Sequence, residues 1–341
     1  MKILPVDKIQ ALDQATIKEE EISSNQLMER AAGIFVKWMV EKYNTLLDQQ
    51  DIHIVCGTGN NGGDGLVAAR LLSKKGYRVF TWIAQISNTP SKDFSVNLDR
   101  LSKFNKVQIQ TISDNWQLKT TDNDFIIDAL FGSGLNRPIE GKWASIVNII
   151  NQQSATCISI DIPSGLFADK KSNGAIIRAT STLTFELPKL AFLFPESQTY
   201  IGDWSVQSIG LSKEFIKNTP SPNHFQTKSE IASLLHPRSP HSHKGTFGHA
   251  LLVAGSYGKI GATVLASKAL LRSGAGLVTI HTPKCGYQIL QSSLPEAMVA
   301  VDPHEYHITE IKNPEKYAAI GIGPGIGTDS QTAHALQSLL Q

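Results

Sequence analysis

Apolar residues over the first 45 positions recur at helical spacing. Leu27, Met28, Ala31, Ile34, Phe35 and Trp38 form one stripe, which predicts a helix over residues 24–43 that Ser24 can cap, preceded by another over 6–20. Both helices come before any strand, so they must cover a face of the later sheet or pack on a partner chain. The period then changes. IHIVC (52–56), YRVFTWIAQ (77–85), VQIQTI (107–112), DFIIDAL (124–130) and ATCISID (155–161) are short β-branched runs, and helical spacing returns over 64–75, 94–103 and 142–152. Strand signals near 182–185 and 204–209 complete the series. This alternation predicts an α/β fold with a mostly parallel sheet and helices on both faces.

From residue 211 to 244 the texture changes to a stretch with four prolines and little periodicity, where a domain junction is expected. The predicted domains are residues 1–212 and 224–341. The second has its own α/β pattern: HALLVAGS as strand and glycine turn, a helix over 261–272, LVTIHTP as strand, AAIGIGPGIG as strand running into glycines, and the first turns of a helix after Ser330. No fixed-period repeat connects the halves.

Composition narrows the function classes. At 341 residues, 41% hydrophobic and 18% charged, the chain can bury two real cores and is not disordered. Thirty-two Lys and Arg against 30 Asp and Glu leave a net charge of +2, which supplies no case for nucleic acid or an anionic membrane. The start lacks the apolar core of a signal peptide, and no run approaches the length of a membrane span. Three distant cysteines, Cys56, Cys157 and Cys285, fit reduced thiols in the cytoplasm.

GTGNNGGDG (57–65) satisfies G-x-G-x-x-G between a strand and a helix, the context of a dinucleotide-binding turn. However, the next strand, YRVFTWIAQ, lacks the acid that would meet a ribose, and Asp64 puts a negative charge where a pyrophosphate would approach. Ligands in open α/β sheets sit at the carboxyl ends of the strands. The strand before the glycines delivers Asn60, Asn61 and Asp64; DFIID delivers Asp128, with the glycine turn 132–138 beyond it; CISID delivers Asp161 and then Ser164. Three carboxylates facing one cleft need a positive partner. Asn, Asp and Ser oxygens are hard donors suited to a group-one or group-two cation, and no His or Cys joins them. A lone Asp at a strand end is more often a turn or cap residue; three beside such a loop favour a functional cleft.

The stretches NQLMERAA, GTGNNGGDGLVAARLL, DALFGSGLNRPIEG and SIDIPSGL resemble the NAD(P)H-hydrate epimerase domain in order and spacing, over about residues 1 to 210. The resemblance implies a Rossmann-like doubly wound fold, commonly dimeric, that interconverts the R and S epimers of hydrated NADH and NADPH and binds a potassium ion. Carried over by motif, Asn60, Asn61, Gly62, Gly63 and Asp64 would line the hydrated dinucleotide. Gly132, Ser133, Gly134, Leu135, Asn136, Arg137 and Pro138 would hold its phosphates, and Asn61, Asp128 and Ser164 would coordinate potassium. Asp161 would contact the hydrated nicotinamide as the acid or base. Loss and return of the ring hydroxyl, assisted by the ring nitrogen, needs such a proton carrier.

The second half, from HKGTFGHALLVAGS through GIGPGIGTD, resembles the ADP-dependent NAD(P)H-hydrate dehydratase domain, which has a ribokinase-like fold. By motif, Ala262 and Gly325 would meet hydrated substrate. The family's catalytic Gly-Thr-Gly-Asp loop does not occur in these residues, so a partial domain, C-terminally truncated and without dehydratase activity, is expected. His236, His241, His243 and His249 lie at spacings that fix no metal geometry, and His281 reads as a structural strand-end residue. Two other readings compete. A noncatalytic epimerase-like scaffold would have no need for Asn61, Asp64, Asp128 and Asp161 together, and a small-molecule kinase would need the absent Gly-Thr-Gly-Asp loop.

Overall fold

A computed structural model describes residues 1–44, 50–85, 89–104, 106–235 and 237–340. They form two compact units, Met1–Ala232 and Ser233–Gln341. The first opens with β1 (Lys2–Ile3), α1 (Val6–Glu19) and α2 (Ser24–Tyr43). A doubly wound series comes next: β2 (Asp51–Cys56), α3 (Asn60–Lys74), β3 (Arg78–Ile83), α4 (Lys92–Ser102), β4 (Gln108–Thr111), β5 (Phe125–Ala129), α5 (Gly141–Asn151), β6 (Thr156–Ile160), β7 (Ser181–Phe185), α6 (Gln198–Ile201) and β8 (Asp203–Gln207). The unit closes with α7 (Lys213–Asn218) and β9 (Asn223–His224), after which comes α8 (Lys228–Leu234).

Among the described residues seven strands form one sheet in the order β4-β3-β2-β5-β6-β7-β8, with every pairing parallel. The chain winds outward from β2 through β3 to β4, then returns to β2's other side with β5. That reversal opens a crevice at the carboxyl ends of β2 and β5. Strand alternation sorts the core into two layers. Ile52, Ile54 and Ile127 pack under Phe35, Met39, Leu66, Leu72 and Phe94, while Val55 and Ile126 face Ile146, Val147 and Ile150 of α5.

The N-terminal helices have separate tasks. α2 covers a sheet face through Phe35, Val36 and Met39. Leu12 of α1 packs with Leu27, Leu187, Ile209 and Leu211, so α1 lies by the carboxyl ends of the last strands. Ser23 rather than Ser24 caps α2, in a reciprocal box with Gln26.

Residues 224–232, expected in the second domain, belong to the first unit. β9 is the cause: it pairs antiparallel with β1 and ties both ends of the unit together. The second unit contains β10 (His249–Val253), α9 (Ile260–Arg272), β11 (Leu277–Thr282), α10 (Tyr287–Ser293), β12 (Met298–Val301), β13 (Ala319–Ile322) and α11 (Ser330–Leu340). Its sheet runs β12-β11-β10-β13, and all three pairings are parallel. β12 carried no sequence signal strong enough to predict it, being a four-residue edge strand exposed at both ends.

Candidate functional site

Residues 60–63, read as loop, are the first turn of α3, which begins at Asn60 behind an extended Gly59. The glycines allow this. A Cβ on Gly62 would sit 1.7 Å from the Gly57 carbonyl oxygen, and one on Gly65 would sit 2.6 Å from the Cβ of Ala129 and 2.7 Å from the Cys56 sulfur. The helix start can therefore lie directly on β2 and β5, which aims its side chains and free amides over the crevice.

A cleft of about 630 Å³ occupies that crevice. Its floor and rim come from Asn60, Asn61 and Asp64 of α3, from residues 130–137 after β5, from Asp161 after β6 and from Lys189 after β7. One wall is helical, with Gln10, Asp13 and Gln14 of α1 and Leu27, Met28 and Ala31 of α2, and Phe185, Ile209 and Leu211 border it. Gln10 reaches the glycine turn, its Nε2 lying 3.6 Å from where a Cβ on Gly134 would be.

Asp161 is placed by strain and by charge. Its φ is 66°, a left-handed conformation that costs an L-residue on the order of 1 kcal/mol and tends to persist where function demands it. Its Oδ1 accepts from Thr184 Oγ1 at 3.1 Å and from the Phe185 N–H at 3.2 Å. The Lys189 ammonium lies 2.9 Å from the same oxygen, and the Lys189 side chain is only 2% exposed. This lysine is the positive partner that the carboxylates required. Asking what β7 delivers at its carboxyl end would have found it.

The other acids differ in environment. Burial, with the Asp161, Asp13 and Asp93 charges adding to it, pushes Asp64 well above the usual carboxylate range. Burial and then the Asp161 charge raise Asp13 to about 6, against a smaller opposing pull from Lys189. Asp13 carried no signal in the sequence, where it resembles any polar residue of an amphipathic helix.

Asp128 does not face the cleft, contrary to expectation. It is fully buried, because β5 lies in the middle of the sheet. Its Oδ1 accepts from Ser164 Oγ at 2.5 Å and the Leu130 N–H at 3.2 Å, and its Oδ2 accepts from Ser159 Oγ and the Ser164 N–H, both at 2.8 Å. Burial raises this carboxyl and the hydrogen bonds partly offset it. Asn61 joins through Phe131: its Nδ2 donates to the Phe131 carbonyl at 3.0 Å, while the Phe131 N–H donates to Ser164 Oγ at 2.8 Å. Asn61, Asp128 and Ser164 thus meet around one backbone unit. The donors are all oxygen, and no basic side chain is paired with Asp128 among the described residues. That set fits a hard cation, whose charge would offset the burial of the carboxylate. No group of three or more His, Cys, Asp or Glu among the described residues is arranged to hold a metal, so neutral oxygens would supply most of the coordination.

The remaining candidate residues fall behind or beside the cleft. Gly62 and Gly63 back it, Gly62 against Gly57 and Gly63 against Met28. Pro138 turns into an adjoining hollow with Trp143 and Glu140, which Arg137 also borders. In the second unit, Ala262 and Gly325 meet at one turn. The Ala262 N–H donates to the Lys259 carbonyl at 3.2 Å, a Cβ on Gly325 would lie 3.1 Å from the Lys259 Cβ, and Ser256 Oγ donates to the Gly325 carbonyl at 2.7 Å. Among the described residues these candidate histidines form no metal-holding group. His249 meets Thr279 at 2.8 Å, His243 caps a short helical turn, His281 pairs with the buried Asp302 at 3.1 Å, and His236 lies outside the described residues.

A crevice at the switch point of a parallel sheet, floored by a glycine-tight helix start and charged groups, defines the first unit as a doubly wound α/β domain built to take a nucleotide-like ligand. Residues 24–191 match the family described as YjeF-related protein N-terminus, and residues 250–341 match the family described as NAD(P)H-hydrate dehydratase. The bifunctional NAD(P)H-hydrate repair enzyme of Moorella thermoacetica is 31% identical over 361 residues, covering 100% of this chain and 67% of the relative. That of Dictyoglomus turgidum is 31% identical over 355 residues, covering 100% and 68%, and that of Escherichia coli 32% identical over 289 residues, covering 84% and 54%. The crystal structure of the yeast protein YNL200c superposes with a TM-score of 0.55 at 22% identity, over 67% of this chain and 98% of the yeast chain, which supports the fold of the first unit. The chain belongs to the family of bifunctional NAD(P)H-hydrate repair enzymes, and it spans about two thirds of the length of the first two of these relatives.

Proposed function

We propose that the first unit epimerises hydrated NADH and NADPH, taking the R and S forms in the cleft between α1 and the ends of β2, β5 and β6. The observation that carries this reading is Asp161, held in a left-handed conformation and ion-paired to the buried Lys189 at 2.9 Å. A carboxylate so fixed can accept or return the proton that the ring hydroxyl gains and loses. Asn60, Asn61 and Asp64 at the start of α3 would hold the dinucleotide, while residues 132–137, with their turn amides and Arg137, suit its phosphates. Asn61, Asp128 and Ser164 would hold potassium, which when bound offsets buried negative charge beneath the floor. Gly62, Gly63 and Pro138 would act through the backbone around them.

For the second unit, the family points to ADP-dependent dehydration of the S epimer by a complete domain, with Ala262 and Gly325 at the turn beside the substrate. The Gly-Thr-Gly-Asp loop that this step needs does not occur in these residues, so only the epimerase step is proposed for them. The protein would work in the cytoplasm as a homo-oligomer. The test supplies the R epimer of hydrated NADH with potassium, a separate S-specific dehydratase and ADP, and monitors recovery of NADH. Recovery above the spontaneous rate, stronger in potassium than in sodium, is expected. A background rate from folded protein would favour a binding scaffold instead.

A further inference from the structure

We propose that Asp13, on α1, is the second proton-transfer group of the cleft, working as the partner of Asp161. The inference rests on the epimerase reading. Inverting the hydroxyl-bearing ring carbon requires a hydroxyl to leave one face of the ring and water to enter the other, so a single fixed carboxyl is poorly placed for both.

The cleft offers two carboxyls from separate elements. Asp161 comes from the end of β6 and makes the contacts of a carboxylate, with the Lys189 ammonium at 2.9 Å and donors from Thr184 and Phe185. Asp13 comes from α1, lines the same cleft, and makes no hydrogen bond or ion pair among the described residues. The titratable and charged groups that face it are Asp161, Lys189 and Asp64, with Asp93 and Arg137 further round the lining. The Lys189 ammonium is paired with Asp161 and only pulls on Asp13, while the Asp161 charge raises both Asp13 and Asp64, so the cleft favours retained protons. Burial and the neighbouring carboxylate charges push Asp64 well up. Asp13, raised to about 6, can hold a proton and also release it.

Atoms and electrons balance in the step. The Asp13 carboxyl gives its proton to the ring hydroxyl as the carbon–oxygen bond breaks, and the ring nitrogen lone pair forms a carbon–nitrogen double bond as water leaves. Water then adds to the opposite face, the double-bond electrons return to nitrogen, and the Asp161 carboxylate takes the proton. The reverse epimerisation exchanges the two roles, and solvent returns the proton between turnovers. No redox partner is needed.

The experiment is the pH dependence of R-to-S epimerisation by the full chain, with the separate dehydratase in excess, for wild type, Asp13→Asn and Asp13→Glu. Wild-type kcat/KM should fall about tenfold per pH unit above roughly pH 6, as Asp13 loses its proton. Asp13→Asn should lower kcat by about 10²- to 10⁴-fold with little change in KM and abolish that limb. Asp13→Glu should restore a limb at a shifted pH. A folded Asp13→Asn enzyme with wild-type kcat and an unmoved limb would overturn the proposal. If Asp13→Asn does not fold, an unmoved limb in Asp13→Glu overturns it equally. Wild type at the spontaneous rate would instead overturn the epimerase reading itself.

Discussion

Asp161 and Asp13 show how two residues of one type acquire different work. Asp161 has φ 66°, and asparagine tolerates that conformation as well as aspartate does. Asp161→Asn should therefore keep the backbone fold, with a lowered melting temperature because the buried Lys189 ammonium loses its counter-charge, while lowering turnover at least about a hundredfold in the coupled NADH-recovery assay. For Asp13 the sign of the stability effect is opposite to that of a salt-bridged acid. Its folded pKa is raised from 3.8 to about 6, so the native state binds the proton more tightly than the unfolded chain, and stability is lost as pH rises through that window. Asp13→Asn should be more stable than wild type by about 2 kcal/mol at pH 8, with the gain gone below about pH 4, as read by urea denaturation at both pH values. A variant that gains stability while losing turnover would mark a group kept for chemistry.

At the scale of elements, the start of α3 decides the site. The glycines of GTGNNGGDG were legible as a strand-to-helix turn, but their reason was not, because spacing says nothing of what a Cβ would strike. Gly62 has no left-handed backbone; it is required because the Gly57 carbonyl would lie 1.7 Å from its Cβ. Gly62→Ala must push α3 away from β2, and should cost about 2 to 3 kcal/mol in thermal unfolding and weaken binding of hydrated NADH at least tenfold by titration. α1 was legible as a helix from its apolar spacing, with an observed end within one residue of that expected. Its position was not legible. Leu12 finds Leu187, Ile209 and Leu211, 175 to 199 residues away in sequence, and that contact brings Asp13 to the cleft.

For the molecule as a whole, the reversal of strand order between β2 and β5 determines where a ligand can sit. It also sends Asp128 into the middle of the sheet, where its carboxylate keeps four donors and no basic partner among the described residues. A cation held there binds only the folded state and should stabilise it in proportion to its occupancy. The melting temperature should therefore be higher in potassium chloride than in sodium chloride at equal ionic strength, and Asp128→Asn should abolish the difference, as read by calorimetry.

The order of residues along the chain was enough to define the elements and the residue types at the strand ends, because the helical and strand periods are local properties. It also carried the family, in long motifs that pin Asn61, Asp64, Asp128 and Asp161 to their places. Which of those side chains meet was settled in three dimensions. Asp128 passes under the floor while Asp161 faces the cleft, Lys189 arrives from β7 to pair with it, and Asp13 arrives from α1. Such partnerships depend on strand order and on apolar contacts between distant segments, and burial and charge at the meeting point then set how each acid behaves.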